Sequence, residues 1–108
     1  MESLDSALFE EVAKDAPASL ILCSRKSCHI CQGVHPLIHE LEENYAGHGI
    51  GFYHLDVEEQ PALFQSLKGK GVPQVLYYRF GELRERLVGE HSLDEYAEKL
   101  EEIFEEGD

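Results

Sequence analysis

One short apolar run constrains the fold more strongly than any other part of the chain. The segment SLILC, Ser19–Cys23, carries no charged side chain and is too short to be an independent helix. Such a run is typical of a β-strand that is buried on both faces of a sheet. We therefore expect this segment to be a central strand, with other strands beside it and helices over it.

The segments around this run predict the other elements of the fold. Leu4, Leu8 and Val12 recur at helical spacing, which predicts a first helix near residues 5–15, capped by Asp5 or Ser6. A helix from Cys31 that includes Pro36 is predicted next, followed by a strand over Ile50–Val57 and a short helix from Pro61. The segments QVLYYRF and LRERLVG then predict a hairpin with Gly81-Glu82 as a type II′ turn. A capping box of Ser92 and Glu95 marks the start of a terminal helix. A frayed acidic tail is expected after the terminal helix.

This order of elements predicts an α/β fold with a central mixed β-sheet flanked by helices on both faces. The chain has 108 residues, which is long enough for one domain, residues 1–108, with a self-sufficient core. We expect a monomer.

The charge of the chain bears on its partners and its location. The formal net charge is −13, which repels nucleic-acid phosphates and anionic lipid headgroups, so neither nucleic acid nor a membrane is an expected partner. The first residues lack the basic start and apolar run of a secretory signal. These features predict a cytosolic protein.

The segment KSCHICQG contains two cysteines, Cys28 and Cys31, that are separated by two residues. The pair fits a disulfide-exchange centre, part of a zinc site or a structural disulfide. A disulfide that closes so short a loop is worth only about 2 kcal/mol, so a purely structural role explains the pair poorly. His35 and His39 follow at spacings that suit zinc, although neighbouring glutamates also suit a solvated helix face.

The position of the pair favours redox chemistry. Cys28 lies where a strand ends and a helix begins, so unpaired backbone N–H groups and the helix dipole favour its thiolate. Arg25, Lys26 and His29 can add positive charge, and Cys31, one turn further on, is expected to face inward as the resolving thiol. The third cysteine, Cys23, is interpreted as a small apolar residue of the buried strand, with a regulatory thiol as the alternative.

Several motifs together resemble the thioredoxin family over nearly the whole chain. The matching features are the apolar strand, the Cys-x-x-Cys, Pro36, Tyr45, LDVEEQP, GVPQVLYY, FGE and Gly89 before the terminal helix. The resemblance implies a thioredoxin fold in which Cys28 attacks and Cys31 resolves. It also implies that a cis peptide bond precedes Pro73 and that Val72 and Pro73 shape the substrate groove.

The resemblance further implies an activity and its partners. The chain is expected to be a cytosolic thiol–disulfide oxidoreductase that acts on protein disulfides through a Cys-His-Ile-Cys dithiol. Electrons would come from NADPH through a thioredoxin reductase, and no bound cofactor would be needed. The alternative is a non-catalytic module of the same fold that binds a client protein or a metal.

The chain also departs from the family pattern at its centre. It has no tryptophan, and Ser27, His29 and Ile30 replace the tryptophan, glycine and proline that are usual around the two cysteines. The family's buried aspartate, which assists proton removal from the resolving cysteine, aligns with Leu22, and its partner lysine aligns with His54. The proton of Cys31 therefore needs another route, for which solvent and His54 are the candidates.

Overall fold

The apolar run forms the middle strand of a five-stranded sheet, as predicted. In the computed structural model, which describes residues 1–105, this strand is β2 (Ala18–Ser24), and every one of its residues is buried. Its neighbours are β3 (Ile50–Asp56), which runs parallel to it, and β4 (Gln74–Arg79), which runs antiparallel. The sheet is therefore mixed, and β2 has a partner along both edges.

Two outer strands complete the sheet. The strand β1 (Glu2–Ser3) pairs in parallel with β3, and β5 (Glu82–Val88) pairs with β4 as the second half of a hairpin, giving the order β1-β3-β2-β4-β5. The hairpin forms one edge of the sheet, as predicted. The strand β1 was not predicted, because two polar residues carry no strand periodicity.

The helices cover both faces of the sheet, which confirms the predicted fold class. They are α1 (Ser6–Leu8, continued by a π-helix over Phe9–Ala13), α2 (His29–Asn44), α3 (Pro61–Ser66) and α4 (Leu93–Glu105). One core contains Leu20 and Leu22 of β2 packed with residues of α2 and α4, and the other contains Ile21 and Cys23. Successive side chains of β2 point to opposite faces of the sheet and therefore pack into two different cores.

The first helix differs from the regular helix that the sequence predicted. Its cap is Asp5, as expected, and the Asp5 carboxylate accepts a hydrogen bond of 2.8 Å from the Leu8 N–H. The π-helical turn carries one residue more than an α-helical turn. As a result Ala13 is fully buried, whereas Val12, which we expected on the apolar face, is 40% exposed.

The hairpin turn was predicted one residue out of place. Arg79 pairs with Glu82, so the two connecting residues are Phe80 and Gly81, with φ angles of +50° and +78°. Positive φ at both positions is the signature of a type I′ turn, not the predicted type II′. The Phe80 N–H donates a hydrogen bond to the Ala16 carbonyl, and a Cβ at Gly81 would overlap the Lys14 carbonyl, so the turn packs closely against the end of the first helical segment.

The terminal helix begins as predicted. The Ser92 hydroxyl accepts a hydrogen bond of 3.1 Å from the Glu95 N–H, while the Glu95 carboxylate accepts one of 3.2 Å from the Ser92 N–H, which is a capping box. The predicted acidic tail lies outside the described residues. No helix within residues 1–105 is long and apolar enough to cross a membrane.

Candidate active site

The two cysteines lie where the sequence placed them, at the start of α2 just beyond the end of β2. Cys28 is the N-cap residue of the helix, and its sulfur accepts a hydrogen bond of 3.1 Å from the Cys31 N–H. The two residues form a disulfide, with their Cα atoms 5.2 Å apart. Cys28 is 8% exposed and Cys31 is 1% exposed, so Cys28 is the sulfur that an outside reactant meets first.

The segment that contains Val72 and Pro73 lies at the same end of β2 as this pair. The Val72–Pro73 peptide bond is cis, as the family resemblance implied. Because Cys23 near the end of β2 pairs with Gln74 at the start of β4, Val72 and Pro73 lie just beyond the end of β2 from which the chain continues to Cys28. Pro73 is buried and Val72 is half-buried.

A polar network that the sequence did not indicate anchors this segment. Gln74 is 2% exposed, and its amide donates hydrogen bonds of 3.1 Å to the carbonyls of Lys70 and Gly71. Arg86 of β5 donates to the Gln74 amide oxygen and to the Leu67 carbonyl, at 2.6 Å in each case. The loop before Pro73 is therefore tied to two strands by partly buried hydrogen bonds, which fixes its position at this end of the sheet.

The three predicted cations lie around the site at the surface. Arg25, Lys26 and His29 are all exposed, and His29 is the first residue of α2. The Lys26 ammonium is 3.7 Å from the Glu59 carboxylate, which offsets part of its charge. Water therefore screens their stabilisation of the Cys28 thiolate, which is weaker than the stabilisation that buried charges would give.

A cluster of Ser24, His35 and His54 lies on the inner side of the cysteine pair. The Ser24 hydroxyl is 2.6 Å from Nε2 of His54 and 3.0 Å from Nε2 of His35. The two imidazole rings meet edge to face, with centroids 4.6 Å apart. The sequence had suggested His54 as a candidate, but it gave no role to Ser24 and assigned His35 to either a zinc site or a solvated helix face.

Two cavities border His54 of this cluster. The smaller, of about 130 Å³, is lined by Cys31 together with Ser24, His35 and His54. The larger, of about 280 Å³, is lined by polar residues that include His54, Asp56 and Glu59. His54 thus borders both cavities, and Cys31 borders the smaller one.

Both histidines of this cluster have a lowered pKa. Burial lowers the pKa of His35, and the positive N-terminal amine adds to the effect. Burial also lowers the pKa of His54, as does its neighbour His35, whereas Asp56 and Glu59 act in the opposite direction. Both imidazoles are therefore mainly neutral at neutral pH.

The third cysteine has a different environment. Cys23 is fully buried on the other face of β2, and burial raises the pKa of its thiol to about 12. This confirms the interpretation of Cys23 as an apolar residue of the strand. A thiol with so high a pKa has almost no thiolate at neutral pH and is chemically inert.

The zinc interpretation finds no support in the geometry. His35 is turned toward Ser24 and His54, while His39 is exposed and lies 3.2 Å from the Glu43 carboxylate. Within residues 1–105, no group of three or more His, Cys, Asp or Glu side chains is arranged to hold a metal ion. What the site brings together is a cysteine pair, a cis-proline segment and two half-buried histidines.

Comparison with known proteins gives a consistent result. The family model described as Thioredoxin matches residues 1–102. The chain is 32% identical over 62 residues to a chloroplastic M-type thioredoxin of Spinacia oleracea, covering 57% of this chain and 34% of that protein. It is 27% identical over 62 residues to a thioredoxin of Malassezia sympodialis, covering 57% of this chain and 59% of that protein. The chain thus spans less than two-thirds of the length of either relative.

Solved structures show the same fold. A mutant thioredoxin from Halobacterium salinarum superposes with a TM-score of 0.87 at 24% identity, covering 96% of this chain and 90% of that one. The Malassezia sympodialis thioredoxin gives a TM-score of 0.87 at 19% identity, with the same coverage.

Proposed function

Because this chain belongs to the thioredoxin family, we propose that it is a thiol–disulfide oxidoreductase that acts on protein disulfides through Cys28 and Cys31. The observation that carries the proposal is the cysteine pair at the start of α2, with the more exposed cysteine at the N-cap and the cis Val72–Pro73 bond at the same end of β2.

The proposed reaction begins with the reduced dithiol. The Cys28 thiolate, favoured by the N–H groups at the start of α2, attacks one sulfur of a client disulfide and releases the other as a thiol. A mixed disulfide then joins Cys28 to the client. Cys31 attacks the Cys28 sulfur, releases the client in its reduced form and restores the Cys28–Cys31 disulfide that the structure contains.

The residues around the pair have supporting roles in this proposal. Val72 and Pro73 form the wall of a groove for an extended stretch of the client, and the Gln74–Arg86 network holds that wall in place. Arg25, Lys26 and His29 stabilise the Cys28 thiolate from the solvent side. The chemistry takes place between sulfur atoms and requires no bound cofactor.

The supply of electrons and the setting of the protein also belong to the proposal. The Cys28–Cys31 disulfide must be reduced again for each turnover, and we propose an NADPH-linked thioredoxin reductase as the source. We further propose that the protein works in the cytosol as a monomer.

Reduction of insulin by dithiothreitol tests the activity. The wild-type protein should speed the precipitation of insulin chains above the rate with dithiothreitol alone, and Cys28→Ser should abolish the acceleration. Cys23→Ser is the matched control, since it also removes one thiol but should keep the activity. A wild-type protein that gives no acceleration would favour the non-catalytic binding module.

Consumption of NADPH in the presence of insulin and a thioredoxin reductase tests the electron source separately. The proposal expects oxidation that depends on both proteins. Activity with dithiothreitol but none with the reductase would remove the reductase from the proposal and leave the thiol chemistry intact.

A further inference from the structure

The burial of Cys31 raises a problem of proton transfer. Cys31 attacks as a thiolate, but an ordinary thiol has a pKa of about 8.5 and is mostly protonated at neutral pH. Cys31 is 1% exposed, so bulk water does not reach it freely. Its proton must pass to a group inside the protein or to the cavity beside it.

The groups that border this cavity can accept a proton. Besides Cys31, the cavity is lined by the Ser24 hydroxyl and by the imidazoles of His35 and His54. His35 follows Cys31 by one turn of α2, so the two side chains lie on the same side of the helix. No carboxylate of the described residues other than Asp56 lines the cavity, and Asp56 is only half-buried at the end of β3.

The hydrogen bonds of Ser24 suit proton transfer between the two histidines. The hydroxyl has one proton to donate and lies within hydrogen-bond distance of Nε2 in both rings. It cannot donate to both, so when both contacts are hydrogen bonds at least one ring carries its proton on Nε2 and donates it to the hydroxyl. Ser24 can therefore accept a proton from one imidazole while it gives its own to the other.

His54 connects this cluster to a second cavity on the polar side. That cavity is also lined by Ser3, Asp5, Lys26, Asp56, Glu59 and Gln60. The charged groups near the histidines are thus Asp5 before α1, Arg25 and Lys26 before α2, Asp56 at the end of β3, Glu59 after that strand, and the N-terminal amine. The carboxylates of Asp56 and Glu59 help to draw a proton toward His54 and away from Cys31.

We propose that His35, Ser24 and His54 form a proton relay that accepts the thiol proton of Cys31 during the second step of disulfide exchange. This inference rests on the proposed function. The Cys31 S–H bond breaks and its proton passes to an imidazole of the cluster, while the sulfur forms a bond to the Cys28 sulfur. The bond from Cys28 to the client sulfur breaks, its electron pair leaves with the client, and the client thiolate takes a proton from solvent. The cysteine pair loses the two electrons that the client gains.

Ellman's reagent, an aromatic disulfide, separates the two steps. Mixed with excess reduced protein in a stopped-flow instrument, it should release one thiolate in a phase whose rate depends on concentration, when Cys28 attacks. A second thiolate should follow in a phase that is independent of concentration, when Cys31 resolves the mixed disulfide. Cys23 does not interfere because it is buried.

Three variants remove parts of the relay. His35→Gln and His54→Gln keep a hydrogen-bonding side chain but cannot take up a proton at neutral pH, and Ser24→Ala removes the oxygen between the rings. An ordinary thiol is about 3% thiolate at neutral pH, so assistance with its proton is worth up to about thirtyfold. We expect each variant to slow the second phase by about tenfold and to leave the first phase unchanged.

The pH profile separates a relay from a structural role. Above the pKa of Cys31 the thiolate forms without help, so the second phase of each variant should approach the wild-type rate as pH rises. His39→Gln is the matched control, because His39 lies one turn beyond His35 on α2 but is exposed, and this variant should behave as wild type at every pH.

Second phases within twofold of wild type in both glutamine variants would overturn the relay, and so would slowing by the same factor at every pH. If a glutamine variant does not fold, the second-phase rate of Ser24→Ala is judged by the same criteria. If the wild-type protein reduces insulin but the variants have wild-type second-phase rates, the relay is refuted and the proposed function stands. If the wild-type protein does not reduce insulin, the proposed function itself is refuted.

Discussion

Cys23 and Cys28 lie close in sequence and yet have opposite chemical environments. Cys23 is inside β2, fully buried against Ile21, Leu55 and other apolar residues, and its thiol pKa is raised to about 12. Cys28 is past the end of the same strand, where it caps α2 near exposed cations. The chain thus holds one inert thiol and one proposed nucleophile a few residues apart.

This difference shows that placement at an element boundary, and not the residue type, decides what a cysteine does. Within a strand, the backbone N–H groups are bonded to neighbouring strands and cannot stabilise a thiolate. At the start of a helix, the first N–H groups have no partner in the helix and point at the N-cap side chain. The Cys31 N–H bonded to the Cys28 sulfur is such a group.

The largest expected difference is in alkylation. At a pKa of about 12, roughly one Cys23 thiol in 10⁵ is ionised at neutral pH, against about 3% for an ordinary thiol. We therefore expect iodoacetamide to label Cys28 of the reduced protein at least about a thousand times faster than Cys23. The Cys23 rate should rise with pH as its thiol ionises, until the pH approaches the raised pKa.

Mass spectrometry after a brief exposure gives both rates, and labelling in denaturant shows that all three cysteines can react. Labelling of Cys23 as fast as Cys28 in the native protein would contradict the burial of Cys23 and the assignment of different reactivities to the two thiols.

The next effect is expected from Cys31→Ser. This variant keeps the nucleophile but cannot resolve the mixed disulfide, so exchange depends on thiols from solution. Because an intramolecular thiol acts at a very high effective concentration, we expect turnover to fall by about a hundredfold or more. Client adducts should accumulate on Cys28.

Non-reducing gels of the variant after incubation with oxidised insulin measure the adducts. The corresponding Cys23→Ser variant should form none. Absence of adducts with Cys31→Ser would count against Cys28 as the attacking sulfur.

The inert thiol should matter instead for stability. Cys23→Ser places a hydroxyl in an apolar core, and a buried polar group without a partner costs about 1–3 kcal/mol. We expect the free energy of unfolding in urea to fall by about 2 kcal/mol, with insulin reduction by the folded protein unchanged. Cys23→Ala is the control for lost volume and should cost less. A serine variant as stable as wild type would show that the hydroxyl finds a partner in the core.

The smallest expected effect concerns the two residues between the active cysteines. His29 is exposed at the first position of α2, where its positive form would stabilise the Cys28 thiolate and thus the reduced protein. One pKa unit of thiolate stabilisation is about 1.4 kcal/mol, or about 30 mV for a two-electron couple. Replacing His29 and Ile30 with Gly and Pro should therefore make the protein more reducing by about 30 mV or less.

Equilibration of both proteins with glutathione buffers at neutral pH measures this shift. An unchanged potential, or a more oxidising one, would show that His29 does not tune the site.

Much of the fold could be predicted because its elements have strong local patterns. The strand β2 is one apolar run, and the capping box of Ser92 and Glu95 marks the start of α4 from a four-residue motif alone. The errors lie where local patterns are weak. The strand β1 exists only through its pairing with β3, and the π-helical turn that exposes Val12 depends on how the first helix packs.

The site was predictable to a similar degree. The cysteine pair and the cis bond before Pro73 follow from motifs, but the cluster of Ser24, His35 and His54 depends on contacts between residues far apart in sequence. The parallel register pairs Leu22 with His54, and Ser24 has the same strand face as Leu22. Ser24 could have been placed beside His54 only from this register, and the sequence does not reveal which residues of two strands pair.

The position of β2 in the sheet also affects the order in which the chain can assemble during synthesis. The strand is made early, but Ser19–Cys23 pair with residues of β4, which follow only after α2, β3 and α3. Until Gln74–Arg79 have left the ribosome, the most apolar segment of the chain has one edge without a partner strand. During that interval Leu20, Ile21 and Leu22 are the residues that a chaperone would bind.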